Sequence, residues 1–274
     1  GWFDRMDPDG KVWDGVKTIE DVLDRLSAAE AQMTDADTPL SGWSLDPIYM
    51  DNQRVSRQDL DKVSATRPVG VLHASGHILN VNSKALELAG LLKPGVNHPG
   101  IPLGDDGMPT GELYGPDAMT PVAGFVGYDR AMTDCDERGL LDYAKLCVRA
   151  GVTTSTDLAA RLTDESVSMM LNVTARDRFP LRVVPLRIFF GMSAEECVEY
   201  TKELKEQSTD LLRLGRIKAV ADGSIQGFSA RMRWPGYHNG APNGLWYTAP
   251  DQMSELYNRA LAAGIQVHTH TNGD

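Results

Sequence analysis

Gly264-Ile265-Gln266-Val267-His268-Thr269-His270-Thr271-Asn272-Gly273-Asp274 follows a helical pattern that stops at a glycine. Its short apolar run reads as a strand, and Asn-Gly-Asp reads as the turn that ends it. Side chains on a strand alternate with period two, so His268 and His270 share one face. Two imidazoles at a strand end, next to a Gly-Asp turn, suit a metal or a proton-transfer site. A pair of histidines satisfied by backbone carbonyls is the structural alternative. His-x-His is a moderately specific signal, since neutral imidazole is the commonest metal ligand but also a frequent structural residue.

The same helix-then-strand order recurs three times upstream. A helix over 137–150 ends at Gly151 and leads into a strand over 152–157. A second helix, over 164–176 with Thr163 as its cap, leads into a strand over 181–186. Ser193-Ala194-Glu195-Glu196 is a capping box for a third helix to about Gln207, followed by a strand over 216–221 and a turn at Asp222-Gly223-Ser224. The fourth helix starts at Pro250 or Asp251 and runs to Ala263. Four such units demand parallel strands with crossover helices, which either a (β/α)8 barrel or an open doubly wound sheet provides. A Gly-x-Gly-x-x-Gly turn after a strand is absent, which weakens the dinucleotide-binding form of the open sheet.

Residues 38–130 break this rhythm. They carry nine prolines and turn-forming runs such as Gly104-Asp105-Asp106-Gly107-Met108-Pro109. A strand at 68–73 and a helix at 83–89, capped by Asn82 or Ser83, form the one clear element there. The expected organisation is a segment over 1–37 with a helix from Thr18 to about Met33, an insertion over 38–130, and repeating units over 131–274.

In Ile217-Lys218-Ala219-Val220-Ala221-Asp222 the lysine lies on the face opposite Ile217 and Ala219. A parallel sheet covered on both sides would bury it, and a buried ammonium needs a carboxylate, a lowered pKa or covalent modification. A lysine snorkelling to solvent is the alternative. Asp157 at a strand end, Asp222 beside Gly223, and His77 in Ser75-Gly76-His77 are further candidates, each with a plainer role as a cap, a turn former or a partner of a loop carbonyl.

Composition bounds the partners. The 274 residues are 42% hydrophobic and 24% charged, with 38 acidic and 27 basic residues giving a net charge of -11. An acidic balance argues against nucleic acid and anionic membrane surfaces as partners. No apolar run approaches the ~18 residues of a membrane span, and the first residues lack a basic-then-apolar signal pattern. Cys135, Cys147 and Cys197 are an odd number with no Cys-x-x-Cys, and Cys147 and Cys197 sit within helical patterns as small hydrophobes. A reducing, cytoplasmic compartment and a small-molecule substrate are expected, with homo-oligomerisation left open.

The ordered set Arg67-Pro68-Val69, Gly76-His77, Val81-Asn82-Ser83-Lys84-Ala85-Leu86, Gly107-Met108-Pro109-Thr110-Gly111-Glu112-Leu113, Gly151-Val152-Thr153-Thr154-Ser155-Thr156-Asp157, Ile217-Lys218-Ala219-Val220-Ala221-Asp222-Gly223-Ser224 and His270-Thr271-Asn272-Gly273-Asp274 covers nearly the whole chain. It resembles the amidohydrolase superfamily, in the branch that contains N-substituted formamide deformylase. The resemblance implies an α/β fold, a metal-dependent (β/α)8 TIM barrel, here strands two to five with a large insertion. It implies hydrolysis of a non-peptide C–N bond (amide, formamide, cyclic amide or amidine) by a metal-activated water. It implies one or two divalent cations, zinc by default, held by Lys218 as a carbon dioxide-derived carbamate and by His270. These two are the expected catalytic and metal residues, with His77, Asp222 and His268 near the substrate. A first-strand His-x-His is expected before Gly1, and a further histidine and the catalytic aspartate after Asp274, so the chain reads as an internal piece with little activity by itself. Two other readings stay open: a barrel-fold binding or regulatory protein that has lost its metal, and a metal-free barrel enzyme using His268 and His270 as acid and base.

Overall fold

The computed structural model describes residues 5–6, 12–13, 15–51, 53–128 and 136–274. Two compact units divide the chain: Gly1–Arg130 with Asp222–Leu245 and Asn272–Asp274, and Ala131–Ala221 with Trp246–Thr271.

The second unit carries the repeated helix-strand order. Its helices are α5 (Glu137–Arg149), α6 (Asp164–Thr174), α7 (Ala194–Glu206) and α8 (Pro250–Ala262). Its strands are β7 (Thr154–Ala160), β8 (Arg182–Ile188), β9 (Arg216–Val220) and β10 (Gln266–His270), paired in parallel in the order β10-β9-β8-β7. The helix starts follow the sequence. Thr163 accepts from the Ser166 amide, and Ser193 and Glu196 exchange the two hydrogen bonds of a capping box. Strand β7 begins two residues later than the sequence suggests, and β7 and β8 run on past Asp157 and Leu186. Asp157 therefore lies within β7, at a register shift between Asp157 and Ala160, with its carboxylate accepting from the Ala159 amide.

All four helices lie on one face of this sheet. Ile217, Ala219 and Ala221 pack against Cys197 and Val198 of α7 and Met253, Leu256 and Ala260 of α8. Val183 on the same face packs against Leu140, Ala144 and Cys147 of α5 and Val167 and Met170 of α6. Each fully buried Leu or Val contributes about 1.5–3 kcal/mol, and this packing holds the strands in register. A doubly wound sheet would carry helices on both faces, which is not the arrangement among the described residues of this unit. Cys147 and Cys197 are buried free thiols, as small hydrophobes in helices; Cys135 lies outside the described residues.

The first unit is more regular than its prolines suggest. Besides the short antiparallel pair β1 (Arg5–Met6) and β2 (Val12–Trp13), it holds a sheet of β3 (Leu40–Leu45), β4 (Val69–His73), β5 (Ile78–Val81) and β6 (Glu112–Tyr114). Strands β3 and β4 are parallel, while β5 and β6 add antiparallel. Helices α1 (Ile19–Glu30) and α2 (Arg57–Val63) cover one face through Val22, Leu26 and Leu60. Helices α3 (Ser83–Leu88) and α4 (Gly115–Ala123) cover the other through Leu86, Ala118 and Val122. Every residue of β4 is buried, as its unbroken apolar run requires. Asn82, fully buried, caps α3 by accepting from the Ala85 amide. It also accepts from the Val69 amide and donates to the Ser64 and Arg67 carbonyls, which ties α3 to β4. None of the described helices is long and apolar enough to cross a membrane.

Candidate metal centre

Lys218 sits two residues from the end of β9 and is 7% exposed. The parallel register places it directly beside His268 on β10 and Ile188 on β8, while His270 pairs with Val220. In-register residues of neighbouring strands point to the same face, so Lys218, Val220, His268 and His270 share the face turned away from the four helices. Thr269, between the two histidines, points to the helix side and hydrogen-bonds Tyr257 of α8 at 2.8 Å. The strand end is pinned by the Ala221 amide donating to the His270 carbonyl at 2.9 Å, and by Thr248 Oγ1 donating to the Val220 carbonyl at 2.8 Å.

Burial pushes the Lys218 ammonium below the usual lysine range, and no hydrogen bond or ion pair engages its Nζ among the described residues. His268 is exposed and His270 half-buried. The three side chains form one row and its next rung at the C-terminal ends of parallel strands, the edge where α/β proteins keep their sites. Among the described residues no group of three or more His, Cys, Asp and Glu is placed to hold a metal ion. The donors that are present nonetheless fit part of such a site. Two imidazoles share a sheet face with a buried amine whose charged form burial disfavours.

The other two expected residues belong to the first unit. His77 lies in the turn between β4 and β5; its amide donates to Ser75 Oγ and its carbonyl accepts from the Gly115 amide. Asp222 is 2% exposed and accepts three backbone N–H bonds, from Arg231 and Gly273 on Oδ2 (both 2.8 Å) and from Asn272 on Oδ1 (2.9 Å). The carboxylate works as a clamp on the chain around it. At Gly273 a Cβ would collide with the Arg231 carbonyl and the Asp222 carboxylate, so the close approach requires glycine. Asn272 Nδ2 closes the arrangement by donating to the Gly223 carbonyl at 2.9 Å.

Sequence reasoning missed a polar cluster in the first unit, in which His73, Asn80 and Glu112 are buried and Arg54 and Tyr114 half-buried. Asn80 pairs with Glu112 across β5 and β6, so the two polar side chains share a sheet face. Alternation in Ile78-Leu79-Asn80-Val81 places Asn80 on a buried face and was the available signal.

An amidohydrolase family profile matches residues 9–274. The chain belongs to the amidohydrolase family. It is 26% identical over 253 residues to the putative amidohydrolase YtcJ of Bacillus subtilis, covering 86% of this chain and 45% of that protein. It is also 26% identical over 245 residues to the protein LONG AFTER FAR-RED 3 of Arabidopsis thaliana, covering 85% of this chain and 40% of that one. The chain thus spans less than half the length of these curated relatives. Among solved structures, an uncharacterized metal-dependent hydrolase from Pyrococcus horikoshii matches with a TM-score of 0.52 at 16% identity, over 95% of this chain and 49% of that one. At that identity the likeness speaks for the α/β fold.

Proposed function

We propose that this chain contributes the Lys218–His270 half of a metal-dependent hydrolase that cleaves C–N bonds other than peptide bonds, in an amide, formamide, cyclic amide or amidine. The observation that carries the reading is the buried Lys218, without a partner among the described residues, lying on one sheet face with His268 and His270. Family membership supports it, and so does the parallel β7–β10 sheet with all its helices on one face, the layout of consecutive units of a (β/α)8 barrel. In this reading 131–274 supplies barrel units and 38–130 an insertion.

The residues have distinct tasks. If the Lys218 amine, as its neutral form, bonded the carbon of carbon dioxide and released one proton from nitrogen, it would become a carbamate, an anion bearing two oxygens. That anion and the His270 imidazole would hold the cation, zinc by default. Once bound, a divalent cation supplies Lewis acidity and lowers the pKa of a coordinated water toward neutrality. His268, beside Lys218 in the register, orients the carbamate or the substrate by hydrogen bonding. Asp222 holds the Asn272–Gly273 backbone through its three accepted bonds.

The test is a panel of N-substituted amides offered to the full-length protein, wild type and Lys218→Ala, with divalent metal content measured alongside. Turnover that depends on both metal and Lys218 supports the reading. Turnover without bound metal would favour a metal-free acid/base pair, and a protein with neither metal nor turnover would favour a binding role.

A further inference from the structure

Arg54 in the first unit is held from two sides. Its Nε donates to Glu112 Oε1 at 2.8 Å and its Nη2 to the Tyr114 hydroxyl at 2.9 Å, while that hydroxyl donates to Glu112 Oε2 at 2.8 Å. Nη1 is different: it is shut off from solvent and has no hydrogen-bond partner among the described residues. A buried guanidinium donor left unmade is rare and costly, and it points to a missing acceptor.

Two rings flank the guanidinium, Tyr114 at 5.8 Å and Phe228 at 5.9 Å from its carbon to the ring centroids. Phe228 reaches that place at a cost. Its φ of 55° lies in the left-handed region, which bulky side chains rarely adopt, and such strain concentrates at ligand clamps. The loop that carries it is firmly built. The Ser229 and Ala230 amides both donate to the Ser224 carbonyl, and the Phe228 amide donates to the Ile225 carbonyl. At Gly227 a Cβ would stand 2.6 Å from Ser224 Oγ and 2.8 Å from Ile78 Cδ1, so the loop lies tight on β5. The ring itself is only half-buried, meeting Tyr237 edge-on at 5.3 Å. It is therefore the part of the loop that can leave.

The charge count selects the ligand. Arg54 is balanced by Glu112. His73, buried at the end of β4, is neutral, its pKa pushed down to about 3 by burial and by the nearby Arg54 charge. Tyr114 is held protonated, because burial and the Glu112 charge raise its pKa. A carboxylate brought to Nη1 would be a second buried anion with no cation of its own, which costs more than its hydrogen bond returns. A neutral acceptor carries no such penalty.

We infer that Arg54, Tyr114 and the Phe228 loop form a binding site for an uncharged aryl carbonyl compound, whose ring takes the place of Phe228 over the guanidinium and whose oxygen accepts from Arg54 Nη1. Phe228 fills the ring position and leaves Nη1 without an acceptor among the described residues, since a phenyl ring offers none in the guanidinium plane. The ligand supplies both a ring and an acceptor.

The test is equilibrium binding to the full-length protein of acetophenone, ethylbenzene and benzoate, none of which has a hydrolysable C–N bond. The outcome is thus independent of whether the protein is a hydrolase. Acetophenone is expected to bind at least tenfold more tightly than either of the others. Arg54→Lys, which keeps the charge beside Glu112 but loses the planar donor set, should weaken acetophenone tenfold or more. Phe228→Gly, which removes both the placeholder ring and the strain, should tighten it severalfold. Equal affinities for acetophenone and ethylbenzene, a preference for benzoate, or unchanged binding in Arg54→Lys would overturn the assignment. So would no detectable binding of acetophenone, which would leave Nη1 to a buried water.

Discussion

His268 on β10 stands directly across from Lys218 on β9, in a parallel register that also puts His270 one rung further along the same face. This ranks the two histidines by position. His268 is the immediate neighbour of the buried amine, and His270 lies nearer the strand end. If His270 is a ligand and His268 an orienting neighbour, the variants should differ in kind. His270→Ala should lose metal and at least a hundredfold in kcat, whereas His268→Ala should keep its metal and lose on the order of tenfold, the usual range for outer partners of a metal site. Metal content and kcat of the two full-length variants check this, and the reverse order would exchange their roles.

Lys218 in its metal-free form is a buried amine with no anionic neighbour among the described residues. A buried amine without a partner carries a desolvation cost that a hydrophobe of similar volume does not. Lys218→Met should therefore leave the metal-free protein as stable as wild type or more so. Urea unfolding in the presence of a chelator reads this directly.

Asp222 spends its carboxylate on the amides of Arg231, Asn272 and Gly273. Removing it strands three partly buried amide donors, so Asp222→Ala should cost about 2–4 kcal/mol. Asp222→Asn keeps one acceptor oxygen and should lose less. Comparing the two by chemical denaturation separates the clamp from a purely catalytic role, in which stability would stay unchanged in both.

His73 gives the first unit a defined acid sensitivity. Asn80 Nδ2 donates to the Val55 carbonyl at 2.6 Å, so its Oδ1 is the acceptor facing His73 Nε2, 2.6 Å away. That fixes the neutral Nε2–H tautomer. The folded-state pKa is pushed from 6.5 to about 3, mainly by burial and secondly by the Arg54 charge. The unfolded chain binds a proton below pH ~6.5 while the folded one does not, so stability is complete above that pH and declines by about 1.4 kcal/mol per unit as pH falls toward 3. Unfolding at pH 7.5 and 5.5 should show this loss in the wild type, and His73→Gln should remove about 1.4 kcal/mol of the difference.

The parallel half of the fold was legible because crossover helices write their period, caps and stop signals into the chain. Thr163, Ser193 with Glu196, and Asn82 all cap as their residue types suggest. The mixed sheet of the first unit was not legible, because β5 and β6 are four and three residues long and lie among turn formers. Parity alone placed His268 and His270 on one face of their strand and Lys218 on the face opposite Ile217 and Ala219. Which histidine adjoins the lysine depends on the pairing of strands 50 residues apart, and no local pattern encodes that offset. Asp222 was legible as a turn residue but not as a clamp, since its donors are backbone amides 9, 50 and 51 residues away. Nothing in the residues around Phe228 announces its left-handed backbone.

The central claim is that Lys218 holds a divalent cation. Metal analysis of the full-length protein at neutral pH, wild type against Lys218→Ala, tests it most directly. One or two equivalents of divalent metal in the wild type, lost in the variant together with amide turnover, is the predicted result. A Lys218→Ala protein that keeps full metal occupancy and activity would contradict it.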